Sequence, residues 1–134
     1  MYLPTDNLKT FMEQNPETYK GIFPEEPPKR MHSALQDIAR LGDNWNHNGA
    51  KSFSQDLLDK CQNLLKDFCV TPSIFPTATG AIQMEWINNG DYLEFSIFEN
   101  KCEVFKMFKD GQSCKQETDE KELKNILQGF FEKP

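Results

Sequence analysis

The run from Thr77 to Phe98 constrains this chain more than any other: within it two stretches of alternating apolar and polar residues meet at Asn89-Gly90. Both residues of a tight two-residue turn need positive φ, which Gly adopts freely and Asn tolerates, so the dipeptide predicts a β-hairpin together with its register. Trp86 then faces Leu93, Met84 faces Phe95 and Ile82 faces Ile97, all on one side of the sheet, which must be the core side. Glu85 opposite Glu94 and Gln83 opposite Ser96 fall on the other side, as in an antiparallel sheet wet on one face.

Two carboxylates directly opposed repel each other. The pair is read as solvated and balanced by Lys106 or another basic side chain, or else as a site that uses the charge. The turn after Phe98 bears on this pair. Its length is open, because residues 101–109 carry apolar side chains on both faces; a three-residue loop at Glu99-Asn100-Lys101 is preferred. That loop would put Phe105 and Met107 on the core side and Lys106 beside Glu94.

Four helices are expected around this sheet. Asp6 caps a short one through Gln14, with Leu8, Phe11 and Met12 on one face before Asn15-Pro16. Residues 21–28 read Gly-Ile-Phe-Pro-Glu-Glu-Pro-Pro, a connector too rich in proline for regular structure, and Pro28 opens the next helix. That helix runs to about Leu41 with Met31, Leu35, Ile38 and Leu41 inward, Gly42 as its stop and His32 at its rim. Ser52 or Ser54 caps a third, whose stripe is Leu57, Leu58, Cys61, Leu64, Leu65 and Phe68.

Pro72 and Pro76 hold Ser73-Ile74-Phe75 extended, and Gly80 marks a bend into the first hairpin strand. Asp110-Gly111 signals another hairpin, with residues 112–118 as a polar edge strand whose Lys115 discourages pairing with other chains. Asp119 with Glu122 resembles a capping box for a last helix carrying Leu123, Ile126, Leu127, Phe130 and Phe131. The resulting fold class is α+β, a three- to four-stranded antiparallel meander with helices packed on one face, in a single domain over residues 1–134. The length of 134 residues suits one such domain with a real core, to which 11 phenylalanines contribute large side chains.

Composition narrows the function classes. A net charge of -6 argues against gripping nucleic-acid backbones and favours a basic protein partner. No apolar run approaches the ~20 residues that span a bilayer, and the opening residues lack the pattern of a secretory signal, so a cytoplasmic protein without membrane contact is expected. Cys61, Cys69, Cys102 and Cys114 stand at wide spacings with no histidine at ligand spacing. They are read as free, mostly buried thiols, with no metal and no cofactor expected.

Candidate binding residues are few. Trp45 lies in the polar loop from Gly42 to Ser52. Either it plugs a gap between two helices with its indole N–H on a backbone carbonyl, or it forms a contact surface with His47 and the neighbouring asparagines. Glu85 and Glu94 complete the set. No catalytic constellation is present: there is no Gly-x-Ser-x-Gly elbow, no phosphate-cradling glycine loop and no His-Glu-x-x-His.

Trp45 with Gly49-Ala50, then Pro72, Pro76-Thr77, Gly80, Ile82 and Glu85-Trp86, resembles a group of small uncharacterised bacterial proteins. The likeness spans Leu41 to Leu93. Lys51 departs from it, since proline typically follows the Gly-Ala pair. Some members of that group look like accessory proteins of defence or toxin–antitoxin loci, so the resemblance implies an antitoxin-like or immunity-like inhibitor. Three functions follow in order: a protein-interaction module, a ligand-binding regulatory domain with a pocket near Trp45 and Trp86, and a hydrolase whose opposed Glu85 and Glu94 divide acid and base roles.

Overall fold

The computed structural model describes residues 32–132. The expected Asp6–Gln14 helix, the connector at 21–28 and Met31 lie outside them, as do the first residues of the proposed 1–134 domain. Within the described residues the order is α1 (Ser33–Ala39), α2 (Gln55–Asp67), β1 (Ser73–Pro76), β2 (Ile82–Asn88), β3 (Asp91–Ile97), β4 (Cys102–Met107), β5 (Ser113–Thr118), a 3-10 turn (Glu120–Glu122) and α3 (Leu123–Glu132). The five strands form one antiparallel sheet in chain order, β1-β2-β3-β4-β5. The α+β class holds. The sheet is wider than the expected three or four strands, because the extended Ser73–Pro76 segment pairs with β2 rather than merely leading into it.

The first hairpin has the register its turn dictates. Asn89 and Gly90 take φ of 53° and 85°, and Trp86↔Leu93, Glu85↔Glu94, Met84↔Phe95, Gln83↔Ser96 and Ile82↔Ile97 are cross-strand partners. The second hairpin differs from the expectation. Ile97 pairs with Cys102, and the Phe98 N–H donates to the Lys101 carbonyl at 2.9 Å, so the loop is the two residues Glu99-Asn100. One residue fewer in the loop exchanges the two faces of β4. Cys102 and Val104 are therefore buried beneath the helices, whereas Phe105 is half-buried on the outer face beside 45% exposed Met107. Lys106 lies opposite Leu93, not beside Glu94.

The third hairpin has a three-residue loop, Lys109-Asp110-Gly111, closed by Phe108 N–H to the Gln112 carbonyl at 2.8 Å. Gly111 supplies the left-handed residue such a loop requires, at φ 92°.

Among the described residues the core is one cluster. The inner sheet face contributes Ile82, Met84, Trp86, Leu93, Phe95, Ile97, Cys102 and Val104; the helices contribute Leu35 and Ile38, Leu57, Leu58, Cys61 and Leu64, and Leu123, Leu127 and Phe130. Among the described residues, three side-chain hydrogen bonds tie the sheet and its turns to α2, to α3 and to the segment that follows α2. Trp86 Nε1 donates to the Val70 carbonyl at 2.8 Å, Lys60 Nζ to the Phe98 carbonyl at 2.9 Å and Asn88 Nδ2 to the Phe130 carbonyl at 3.2 Å. Each satisfies a carbonyl at a helix end, a strand end or a turn, where the regular ladder provides no partner.

Helix boundaries differ at both ends of α1 and before α3; α1 ends at Ala39 with Arg40 as its C-cap, short of the expected Leu41-Gly42 stop. α1 begins at Ser33, not Pro28, because His32 is its N-cap: the Nδ1 atom accepts from Ala34 N–H at 3.1 Å, and the His32 N–H donates to Gln62 Oε1 at 2.6 Å. A half-buried rim position is the expected one for this histidine. At the other end, Asp119 makes no side-chain cap, so the expected capping box is absent; the Glu122 N–H bonds the Asp119 backbone carbonyl in a single 3-10 turn before α3. Of the two candidate caps for α2, Ser54 is the one used, its Oγ accepting from Leu57 N–H at 3.1 Å.

Candidate functional site: the outer sheet face

Strand alternation sends Glu85 and Ile87 of β2, Tyr92 and Glu94 of β3, and Phe105 and Met107 of β4 to the face away from the helices. None of these residues belongs to the core cluster. One cross-strand row reads Ser73, Glu85, Glu94, Phe105, Lys115; the next reads Ile87, Tyr92, Met107, Ser113. An acidic pair and an apolar group thus share one surface, on which Ile87 is 72% exposed.

The carboxylates are reconciled by hydrogen bonds instead of a cation. Tyr92 Oη donates to Glu85 Oε2 at 2.7 Å and stands 3.2 Å from Glu94 Oε1, which also accepts from the Gln83 side-chain amide. A phenol has a single proton, so the shorter contact to Glu85 is its principal bond, and Gln83 supplies the donor that Glu94 needs. None of the ion pairs among the described residues involves Glu85 or Glu94; Lys115 pairs with Glu103 at 3.6 Å and Lys101 with the same carboxylate at 3.4 Å. The expected balancing role of Lys106 is accordingly taken by Tyr92 and Gln83.

Partial burial, then the hydrogen bond to Glu85 and the two nearby negative charges, push the Tyr92 phenol well above its ordinary range. Phenol ionisation at this position is therefore expected only above that of an unperturbed tyrosine. In the Glu85→Gln/Glu94→Gln double variant it should fall part of the way back, since the charges go but the burial stays; ultraviolet titration against Tyr92→Phe isolates the signal. Phe105 braces the ring from β4, with centroids 6.1 Å apart in an edge arrangement.

Trp45 and His47 stand elsewhere, on the α1–α2 loop, and share no hydrogen bond or ring contact with the acidic pair. That loop is closed by its own asparagines. Asn44 Oδ1 accepts from Gly49 N–H at 2.8 Å, and Asn46 Oδ1 accepts from Asn48 and Ala50 N–H at 2.9 and 3.0 Å. Asp43 Oδ1 accepts from Ser52 N–H at 3.0 Å, and the Ser52 hydrogen bonds hold its carboxyl below the usual range. Half-buried Trp45 packs on Phe53 at 6.1 Å, and its Nε1 donates to the Lys51 carbonyl at 3.0 Å. The polar residues that looked like contact groups are thus the loop's own fastenings, while His47 is exposed at φ 60°.

A broad cleft of roughly 1230 Å³ opens between α2, the Glu99-Asn100 turn and the approach to α3. It presents lysines and carboxylates in mixture, among them Lys60, Asp67, Glu117, Glu120 and Lys124. Trp86 is not on it; at 4% exposure it is enclosed by Phe68 and Phe95.

Cys61 and Cys102 are buried, and burial pushes the Cys61 thiol up to about 12 and raises that of Cys102 as well. Cys69 and Cys114 are exposed, so the thiols divide evenly rather than being mostly buried. No group of three or more His, Cys, Asp or Glu side chains among the described residues is placed to hold a metal ion, and no helix there is long and apolar enough to cross a membrane.

Tyr92 and Gln83 are the site residues that sequence reasoning missed. The signal was available in the hairpin register, because Tyr92 is diagonal to Glu85 and two residues from Glu94, within reach of a long side chain. Comparison with protein-family models, with curated proteins and with solved structures returned no match.

Proposed function

We propose that this chain is a small bacterial protein-interaction module, acting in the cytoplasm as an antitoxin-like or immunity-like inhibitor, whose outer sheet face receives a basic segment of a partner protein. The observation that supports the reading is the pairing of two carboxylates that have no cation with exposed Ile87 and Met107 on one surface. An arginine or lysine flanked by apolar side chains complements both features: the cation meets Glu85 and Glu94, and its neighbours cover the apolar row. The net charge of -6 would also speed encounter with a basic partner.

The test is capture of a partner from the native cell by the wild-type chain and by Glu85→Lys/Glu94→Lys. A partner held through this face should be released as salt is raised and should bind the charge-reversed form at least about tenfold more weakly. Equal capture by both forms would dismiss the face as the docking surface.

The charged cleft beside α2 supports a second reading, a ligand-binding regulatory domain. It differs in location from the expected pocket near Trp45 and Trp86. Thermal shift against a panel of charged metabolites separates the two, since only the second reading calls for a small molecule that raises the melting temperature.

A further inference from the structure

We infer that β5 is a pairing edge for a second copy of this chain, in one register centred on Gln116. β5 is the terminal strand of the sheet, pairs only with β4 among the described residues, and is exposed along its length except for half-buried Thr118.

The direction of its backbone groups follows from the turns. In an antiparallel ladder, residues alternate between those that exchange both hydrogen bonds with the neighbouring strand and those that turn them away. Phe108 N–H donates to the Gln112 carbonyl, which marks that position as bonded and makes Lys106↔Cys114, Val104↔Gln116 and Cys102↔Thr118 the bonded pairs of the ladder. The other side of β4 agrees, because the Phe98 N–H to Lys101 carbonyl bond assigns residues 101, 103 and 105 to β3. Ser113, Lys115 and Glu117 therefore hold their N–H and C=O groups outward, along the free edge.

A second β5 approaching antiparallel can bond only by joining outward residues to outward residues. Registers that do so place a two-fold axis on one residue of the strand. With Lys115 on the axis two lysines face each other, which is repulsive; with Glu117 on the axis two glutamates face each other and only residues 116–118 of β5 overlap. With Cys114 on the axis, little of the strand overlaps. With Gln116 on the axis, each Lys115 faces Glu117 of the second copy, twice, on the outer face. Ser113 then faces Asp119 of the second copy, and Asp119 already has extended backbone, φ -77° and ψ 147°.

Lys115 thus serves two carboxylates, Glu103 of its own β4 and Glu117 of the second copy. It deters the register centred on itself while supporting this one, so a lysine that guards the edge against foreign strands also selects its own kind. A contact confined to one strand edge is smaller than the ~1,200–2,000 Å² of a standard interface, so the association is weak and concentration-dependent.

Cysteine trapping in the full chain tests the register. In a Cys69→Ser/Cys114→Ser background, Gln116→Cys should form an intermolecular disulfide under mild oxidation, because non-bonded antiparallel partners bring their Cα atoms to about 4.5 Å. Lys115→Cys in the same background should cross-link far less. In sedimentation equilibrium, Lys115→Glu should weaken dimerisation about tenfold and Lys115→Glu/Glu117→Lys should restore it. These side chains are solvent-facing, and circular dichroism checks that each variant is folded. Equal cross-linking at 115 and 116, or a monomer at all concentrations for the unaltered chain, would overturn the inference.

Discussion

Replacing Phe95 by alanine is expected to destabilise the fold by about 3–5 kcal/mol, a large share of the ~5–15 kcal/mol that a domain of this kind possesses. Phe95 is fully buried on β3 and is flanked by Met84 on β2 and Val104 on β4. Its ring lies 4.8 Å from that of Trp86 and 5.7 Å from that of Phe68, both in edge arrangements. The alanine would leave a cavity beneath α2, and the strands cannot close on it, because their spacing is set by the backbone ladder. Urea unfolding would show a lower midpoint with an unchanged slope. Ile87→Ala is the control: a side chain 72% exposed on the outer face should cost under about 0.5 kcal/mol. A Phe95→Ala loss as small as the control's would mean that the aromatic cluster is not the centre of the core.

The second large effect comes from Val104→Asp, which is expected to cost roughly 3–5 kcal/mol, the scale of an uncompensated buried charge. Val104 is 2% exposed on the helix-facing side of β4. Burial would raise the pKa of the new carboxyl, so the folded state would hold its proton to higher pH than the unfolded chain does. Stability should therefore be lost as pH rises through that raised value and partly recovered as pH falls toward the ordinary carboxylate range near ~4. Met107→Asp, on the outer face, should cost under about 1 kcal/mol. The pair of variants discriminates between the two registers of the second hairpin, since a three-residue loop would reverse their order. Chemical denaturation at two pH values measures both.

The register of the first hairpin was legible because Asn89-Gly90 allows one turn type and that turn admits one pairing. The stripes of α2 and α3 were legible because apolar residues at helical spacing leave no choice of buried face. The second hairpin departs from its expected register for a physical reason: an opposed carboxylate pair with no other donor calls for a cation, and the three-residue loop is the one that delivers Lys106. Hydrogen bonds from Tyr92 and Gln83 meet that need. The two faces of β4 are both partly apolar, so alternation alone could not settle the question.

The start of α1 is hidden in the sequence because proline is a familiar first residue of a helix, whereas a histidine accepting through Nδ1 is an uncommon cap. At the α1–α2 loop, composition suggested a surface for contacts. Asparagine density has a more local cause there: those side chains replace the backbone partners that a tight loop of this length lacks.

Every strand of the sheet lies beside its neighbour in sequence, and this has a kinetic consequence. Each hairpin closes a loop of only a few residues, so the entropy lost at each step is small and is repaid at once by ladder bonds and cross-strand contacts. Distant closures are left to the helices, which dock on a ribbon that can zip from turn to turn. Such wiring keeps the contacts within the sheet local in sequence, the property that favours faster folding among β-containing architectures.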